Sequence, residues 1–176
     1  MRNIFILALS IFLSITIKAQ KNEVHWVSIE KAVELNNVNP KPILIDVYTD
    51  WCGWCKKMDK TTYANKVIVD YINSNYYAVK LDGEEKEDIT FNNYTFKFKP
   101  EGRNGFHEFA ATILDGKLSY PTTVFFNEKL ELLDRVPGYL DDETMEQVTT
   151  FFATKSYENS TWDDFIKNFK SKLKDN

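Results

Sequence analysis

The chain has 176 residues, 43% of them hydrophobic and 27% charged, with a formal net charge of −4. At roughly 150 residues per domain this is one domain with extensions rather than two. Four Trp, nine Tyr and thirteen Phe supply enough apolar area for a core without disulfide staples, and two Cys exclude a disulfide-rich scaffold. Six Gly and five Pro exclude a collagen-like or low-complexity chain, and the dispersed Lys and Arg leave no electrostatic footprint for nucleic acid.

Residues 1–20, MRNIFILALSIFLSITIKAQ, start with basic Arg2, continue in an apolar run from Ile4 to Ile17 broken only by Ser and Thr, and reach the small residue Ala19. The run is too short to favour a membrane span and reads as the h-region of a secretory signal over 1–19, an uncleaved anchor being the alternative. Residues 20–176 are then a single exported domain with no stable membrane insertion, the periplasm being the expected compartment and secretion the alternative. An oxidising compartment makes idle thiols unusual. Cys52 and Cys55 are the only two cysteines, so their chemistry is with each other, with a metal or with a partner.

Ser28 is placed to cap a short helix from Ile29 to about Asn36, and 36–42 (NNVNPKP) is a loop by composition. Ile43 to Tyr48 is an apolar run with one acid, Asp46, inside it: a central buried strand. A helix is expected from about Cys52 to Tyr63, a second over Val67–Asn73, and another buried strand over Tyr77–Leu81; that order implies a parallel pair with a crossover. Glu84 to Asp88 reads as a solvated acidic run. Ile89-Thr90-Phe91 and Tyr94 to Phe98 flank Asn92-Asn93, the pattern of a β-hairpin. A turn over Gly102–Gly105 precedes a helical pattern through Phe106, Phe109, Ala110, Ile113 and Leu114. Strands Thr122–Phe126 and Leu130–Val136, a helix over Asp141–Thr154, and a last helix capped by Ser160 (about 160–174) complete the chain.

Two cysteines three apart at a helix start have Cβ atoms about 5–6 Å apart, close enough for a disulfide after a small adjustment. The helix dipole stabilises a thiolate at the first position, so Cys52 is the candidate nucleophile, with Cys55 one turn in as the resolving thiol. Lys56 and Lys57 add a small favourable charge. A zinc site would need two more ligands, and the only histidines, His25 and His107, are isolated and distant in sequence.

Ile43 to Lys56, with an acid in mid-strand and Trp51 before Cys52, resembles the active-site strand and helix of the thioredoxin superfamily. Tyr120-Pro121-Thr122 is similar to that family's cis-proline segment, and Val136-Pro137-Gly138-Tyr139 to the glycine turn after its last strand. The likeness covers about 42–81 and 119–154, and the interrupted pattern is similar to that of exported bacterial thioredoxin-like proteins. It implies an α/β thioredoxin fold, a central mixed sheet flanked by helices, with a hairpin-plus-helix insertion at about 82–119 and an extra C-terminal helix.

The resemblance also implies roles. Asp46, buried at a cost that raises its pKa, becomes the proton acceptor for Cys55, with an acid at the strand end as the bland alternative. Lys80 falls at the matching place on the neighbouring strand, either pairing with Asp46 or standing exposed at a strand edge. Trp51, Gly53, Trp54, Tyr120 and Pro121 would contact substrate, the Tyr120 backbone pairing with an extended segment; Trp51 stands equally as core. Trp54 departs from the Pro of thioredoxins and the His of protein disulfide isomerases, leaving the potential open over roughly −270 to −120 mV, and the missing His argues against a strong oxidant. His107 reads as a surface residue, and Tyr94, Phe96 and Phe98 as a sheet face.

The expected function is a thiol–disulfide oxidoreductase, a reductant rather than an oxidant, acting on disulfide-containing exported proteins and reset by a membrane-bound electron donor. No organic cofactor and no resident metal are implied. The alternatives are a module that carries copper or zinc on the two thiolates, and a partner-binding protein that docks through its insertion and last helix.

Overall fold

The computed structural model describes residues 23–173; the expected signal segment lies outside them. Five strands form the main sheet: β1 (Trp26–Val27), β2 (Ile43–Tyr48), β3 (Tyr77–Asp82), β8 (Thr122–Phe126) and β9 (Leu132–Pro137), in the order β1-β3-β2-β8-β9. β1, β3 and β2 run parallel, and β8 and β9 are antiparallel to their neighbours. Helices α1 (Ile29–Val38), α2 (Gly53–Lys60), α3 (Lys66–Asn75), α4 (Glu108–Ile113), α5 (Asp142–Ala153) and α6 (Trp162–Asn168) pack around it. This is the thioredoxin fold.

Strand β2 decides which helix lies where. Its side chains alternate between faces. Leu44 joins the core made with Met58 of α2, Ile68 and Ile72 of α3, and Met145, Val148 and Phe152 of α5. Ile43, Ile45 and Val47 join the opposite core with Ile29 and Ala32 of α1 and Phe109, Ala110 and Ile113 of α4. Asp46, in phase with Leu44, therefore faces the layer that carries α2.

Several expected boundaries move. Helix α1 runs on to Val38, because Asn36 is buried, donating to Glu128 O and accepting from Lys41 N, rather than starting a loop. Helix α2 stops at Lys60, and a separate 3-10 turn covers Thr62–Ala64. The strand expected over Tyr94–Phe98 breaks at Lys97, whose N–H donates to the Glu108 carboxylate and whose carbonyl accepts from Glu108 N. The insertion therefore has two small ladders: β4 (Ile89–Phe91) with β5 (Tyr94–Phe96), turning through left-handed Asn92 and Asn93, and β6 (Phe98–Lys99) with β7 (Phe106–His107). Gly105 closes the second turn at φ +77°, where a side chain would run into the Phe98 ring and the Lys99 carbonyl.

His107 is not a surface residue. It is fully buried and caps α4, its Nδ1 accepting from Phe109 N, and burial lowers its pKa. β9 begins at Leu132 because Leu130 adopts φ +63° in the turn. The last helix is capped by Thr161, which accepts from Asp164 N, while Ser160 donates to the Thr161 carbonyl; it ends at Asn168.

Phe109 joins the insertion to the main core, with Phe91 and Phe96 at 5.3 and 5.2 Å between ring centroids. Replacing it with Ala should cost ~3–5 kcal/mol in urea unfolding. A loss below about 1 kcal/mol would show that this ring does not hold the insertion.

Candidate active site

Strand β2 ends at Tyr48, and the chain turns through Thr49, Asp50 and Trp51 into α2. The turn is closed by Cys52 N donating to Thr49 O at 3.0 Å. Cys52 is the N-cap of α2, its Sγ accepting from Cys55 N at 3.1 Å, so the sulfur sits where the helix leaves its N–H groups unpaired. The two cysteines form a disulfide with Cα atoms 5.3 Å apart; Cys52 is 4% exposed and Cys55 1%.

Two indoles flank the disulfide, and both are outside the core: Trp51 is 60% exposed and Trp54 58%. Each has partners at the surface. Trp51 donates from Nε1 to Glu84 Oε1 at 2.7 Å and meets the Tyr120 ring edge-on at 5.9 Å. Trp54 lies 5.5 Å from the Tyr139 ring, and the Lys57 ammonium stands 4.8 Å from both ring centroids. Gly53, between them, faces open space.

The Tyr120–Pro121 peptide is cis, and the Pro121 carbonyl accepts from Gly138 N. The Tyr120 ring rests on Gly83, where any side chain would collide with the phenol. Partial burial and the nearby carboxylates of Glu84 and Asp82 push the Tyr120 hydroxyl up to about 12.

On the other side of α2, Asp46 is fully buried and accepts from Lys80 Nζ on Oδ2 at 2.6 Å; the two residues are register partners on β2 and β3. Lys80 is thus not an exposed strand-edge residue. It also donates to Asp59, which lies one turn after Cys55 on α2 and has a side chain 44% exposed. The rings of Trp26, Tyr48 and Tyr63 each lie 5.1 Å from the Lys80 ammonium. Burial raises the Asp46 pKa, against the pull of Lys80. Burial alone would lower that of Lys80, but Asp46 and Asp59 reverse it and leave it raised. Thr123 stands directly across from Asp46 in the sheet, and the buried Tyr63 phenol lies close to both.

The structure therefore gathers Cys52, Cys55, Trp51, Gly53, Trp54, Tyr120 and Pro121 at one end of the sheet, with Asp46 and Lys80 behind α2. Sequence reading missed Asp59, Glu84 and Tyr139. Asp59 carried a signal, its four-residue spacing from Cys55. Glu84 was indistinguishable from its acidic neighbours, because its partners Trp51 and Asn104 lie 33 and 20 residues away. Among the described residues no group of three or more His, Cys, Asp or Glu could hold a metal ion, and no helix is long and apolar enough to cross a membrane.

Fold and site together define a thioredoxin-like disulfide oxidoreductase architecture. The chain belongs to the Thioredox_DsbH family, described as a protein of unknown function, DUF255, whose model matches residues 3–174. A thioredoxin-fold protein from Helicobacter pylori is similar in structure at a TM-score of 0.57 and 18% identity, over 73% of this chain and 84% of that one. A candidate disulphide-isomerase from Bacteroides thetaiotaomicron is similar at a TM-score of 0.53 and 26% identity, over 78% of this chain and 98% of that one. The thiol:disulfide interchange protein DsbD of Campylobacter jejuni is 32% identical over 73 residues, 40% of this chain and 13% of that protein. Of the curated relatives matched at 30% identity or more, the chain spans 6–13% of the length.

Because the folded pKa of Asp46 is raised, the native state keeps a proton that the unfolded chain releases near pH ~3.9. The stability this adds is complete below that value and is lost as pH rises through the folded pKa. In the oxidised protein, the urea stability of Asp46→Asn relative to the natural chain should therefore increase as pH is raised from about 4. A difference that is flat with pH, or that falls, contradicts this.

Proposed function

We propose that this chain is an exported thiol–disulfide oxidoreductase that reduces disulfides in exported proteins. The observation that carries the reading is the Cys52–Cys55 disulfide at the start of α2, between two exposed indoles and in front of a buried carboxyl group.

In the reduced protein, the unpaired N–H groups of the first turn favour the Cys52 thiolate. That thiolate attacks one sulfur of a substrate disulfide, forming the Cys52–substrate bond and releasing the other substrate sulfur as a thiolate. Asp46 takes the proton of Cys55 through water, and the Cys55 thiolate attacks Cys52 Sγ. The Cys52–Cys55 bond forms, the second substrate thiolate leaves, and two electrons have passed from protein to substrate. The edges of Trp51 and Trp54 offer apolar contact, and the Tyr120 backbone beside the cis peptide pairs with an extended substrate segment. A membrane-bound dithiol donor returns two electrons to the disulfide. Export is supported by the apolar run Ile4–Ile17 behind Arg2, and the reducing direction by the absence of a His between the cysteines.

Insulin reduction with dithiothreitol as donor should be accelerated by the natural protein and not by Cys52→Ser. A folded natural protein without activity, or activity that survives the substitution, overturns the reading. Asp46→Asn should prolong the mixed disulfide trapped at neutral pH by ~10²-fold, with the defect shrinking as alkaline pH ionises Cys55 directly. Unchanged resolution at pH 7 would remove Asp46 from the mechanism.

A further inference from the structure

The insertion is tied to the end of β2 and to the turn that precedes Cys52. Gly83 N donates to Tyr48 O at 2.7 Å and His107 N donates to Gly83 O at 2.8 Å. The end of β2, the start of the insertion and β7 are thus bonded in series. The 101–105 turn is held to the same rim by one carboxylate: Glu84 Oε1 accepts from Trp51 Nε1 and, at 3.0 Å, from Asn104 Nδ2.

Between the two lies a groove of about 730 Å³, bounded by Trp51 and Tyr120 on the disulfide side, by the 101–105 turn opposite, and by Phe106 and Leu118. Its lining is largely apolar, with Glu84, Glu101 and Arg103 as its charged members. Asp82, beside it, has its pKa raised by partial burial and by the charges of Asp50, Glu84 and Glu85, which marks this end of the rim as negative. Three of the four lysines of the insertion have partners away from the groove: Lys97 pairs with Asp88, Lys99 with Glu108, and Lys86 stands over the Phe98 ring; the fourth, Lys117, is exposed next to Leu118.

We infer that the insertion builds a substrate subsite, in which this groove receives the polypeptide segment next to the attacked cysteine, and Glu84 with Glu101 selects a basic side chain within it. The inference rests on the oxidoreductase reading above. The apolar lining suits a peptide side chain, and the carboxylates repel small disulfides that carry carboxylates themselves. Both bonds to Glu84 fall on Oε1, which leaves Oε2 to a cationic guest. Substrate approach from this side brings its sulfur to Cys52 past Trp51, which Glu84 already holds in place.

The probes are two synthetic disulfide-linked peptide dimers, identical except that Lys or Glu flanks the single Cys on both sides, with neutral 2-hydroxyethyl disulfide as reference. Each is mixed with the reduced full chain, and thiol release is timed; two thiols appear for every Cys52–Cys55 disulfide formed. Relative to the reference, the Lys peptide should react ~10-fold faster than the Glu peptide at low salt, with the ratio shrinking at 0.5 M salt (a Debye length of roughly 4 Å). Glu84→Gln, which keeps an oxygen for Trp51 and Asn104, and exposed Glu101→Gln should each lower the ratio, and together bring it within about 2-fold. Equal peptide rates in the natural protein, or a preference that survives both substitutions, overturns the subsite while leaving the oxidoreductase reading intact. No reaction with any of the three disulfides overturns that reading, and the inference with it.

Discussion

Strand β2 is buried on both faces and still carries Asp46, and the counter-charge this position demands links the sheet to the active-site helix. Lys80 lies opposite Asp46 in register, and Asp59 of α2 takes the other side of the same ammonium. A slip of one residue between β2 and β3 would turn Lys80 to the α1–α4 face and leave a carboxylate buried without its partner. Three aromatic rings stand around the same ammonium, each 5.1 Å from it. Since Asp59 is one turn from Cys55, the register of the sheet, the rotation of α2 and the position of the Cys55 sulfur are one constraint.

The opposite side of α2 is organised by aromatic side chains that would otherwise be mobile at the surface. Trp51 is fixed by a carboxylate and a phenol ring, and Trp54 by a second phenol and a lysine. Tyr139 is itself held through its hydroxyl, 3.1 Å from Thr61 Oγ1 at the end of α2. The two sides of the disulfide differ in charge: carboxylates gather beyond Trp51, and the Lys57 ammonium lies on the Trp54 side.

Much of this was legible in the residues. The apolar run 43–48, the Cys-Gly-Trp-Cys stretch and the segment at Pro121 carried the resemblance that implied the fold class, because each signal is local and short-range. Asn92-Asn93 announced its hairpin for the same reason: both positions need left-handed backbone. Where reading failed, the cause was non-local. Glu108 breaks the strand at Lys97 from eleven residues away, and His107 is buried because its strand pairs with β6 and its backbone bonds to Gly83. A one-dimensional pattern shows a lone histidine at a helix start and cannot show what covers it. Glu84 became a site residue only when the fold brought Trp51 and Asn104 to the same oxygen.

The most direct test of the account is the reduction potential of the Cys52–Cys55 couple. Equilibration of the full chain in dithiothreitol buffers, with thiols trapped by alkylation at each step, should give one two-electron transition between about −270 and −200 mV. A transition near −120 mV, the range of a strong oxidant, would contradict the reducing role. Cysteines that stay joined throughout the titration would contradict thiol–disulfide exchange altogether.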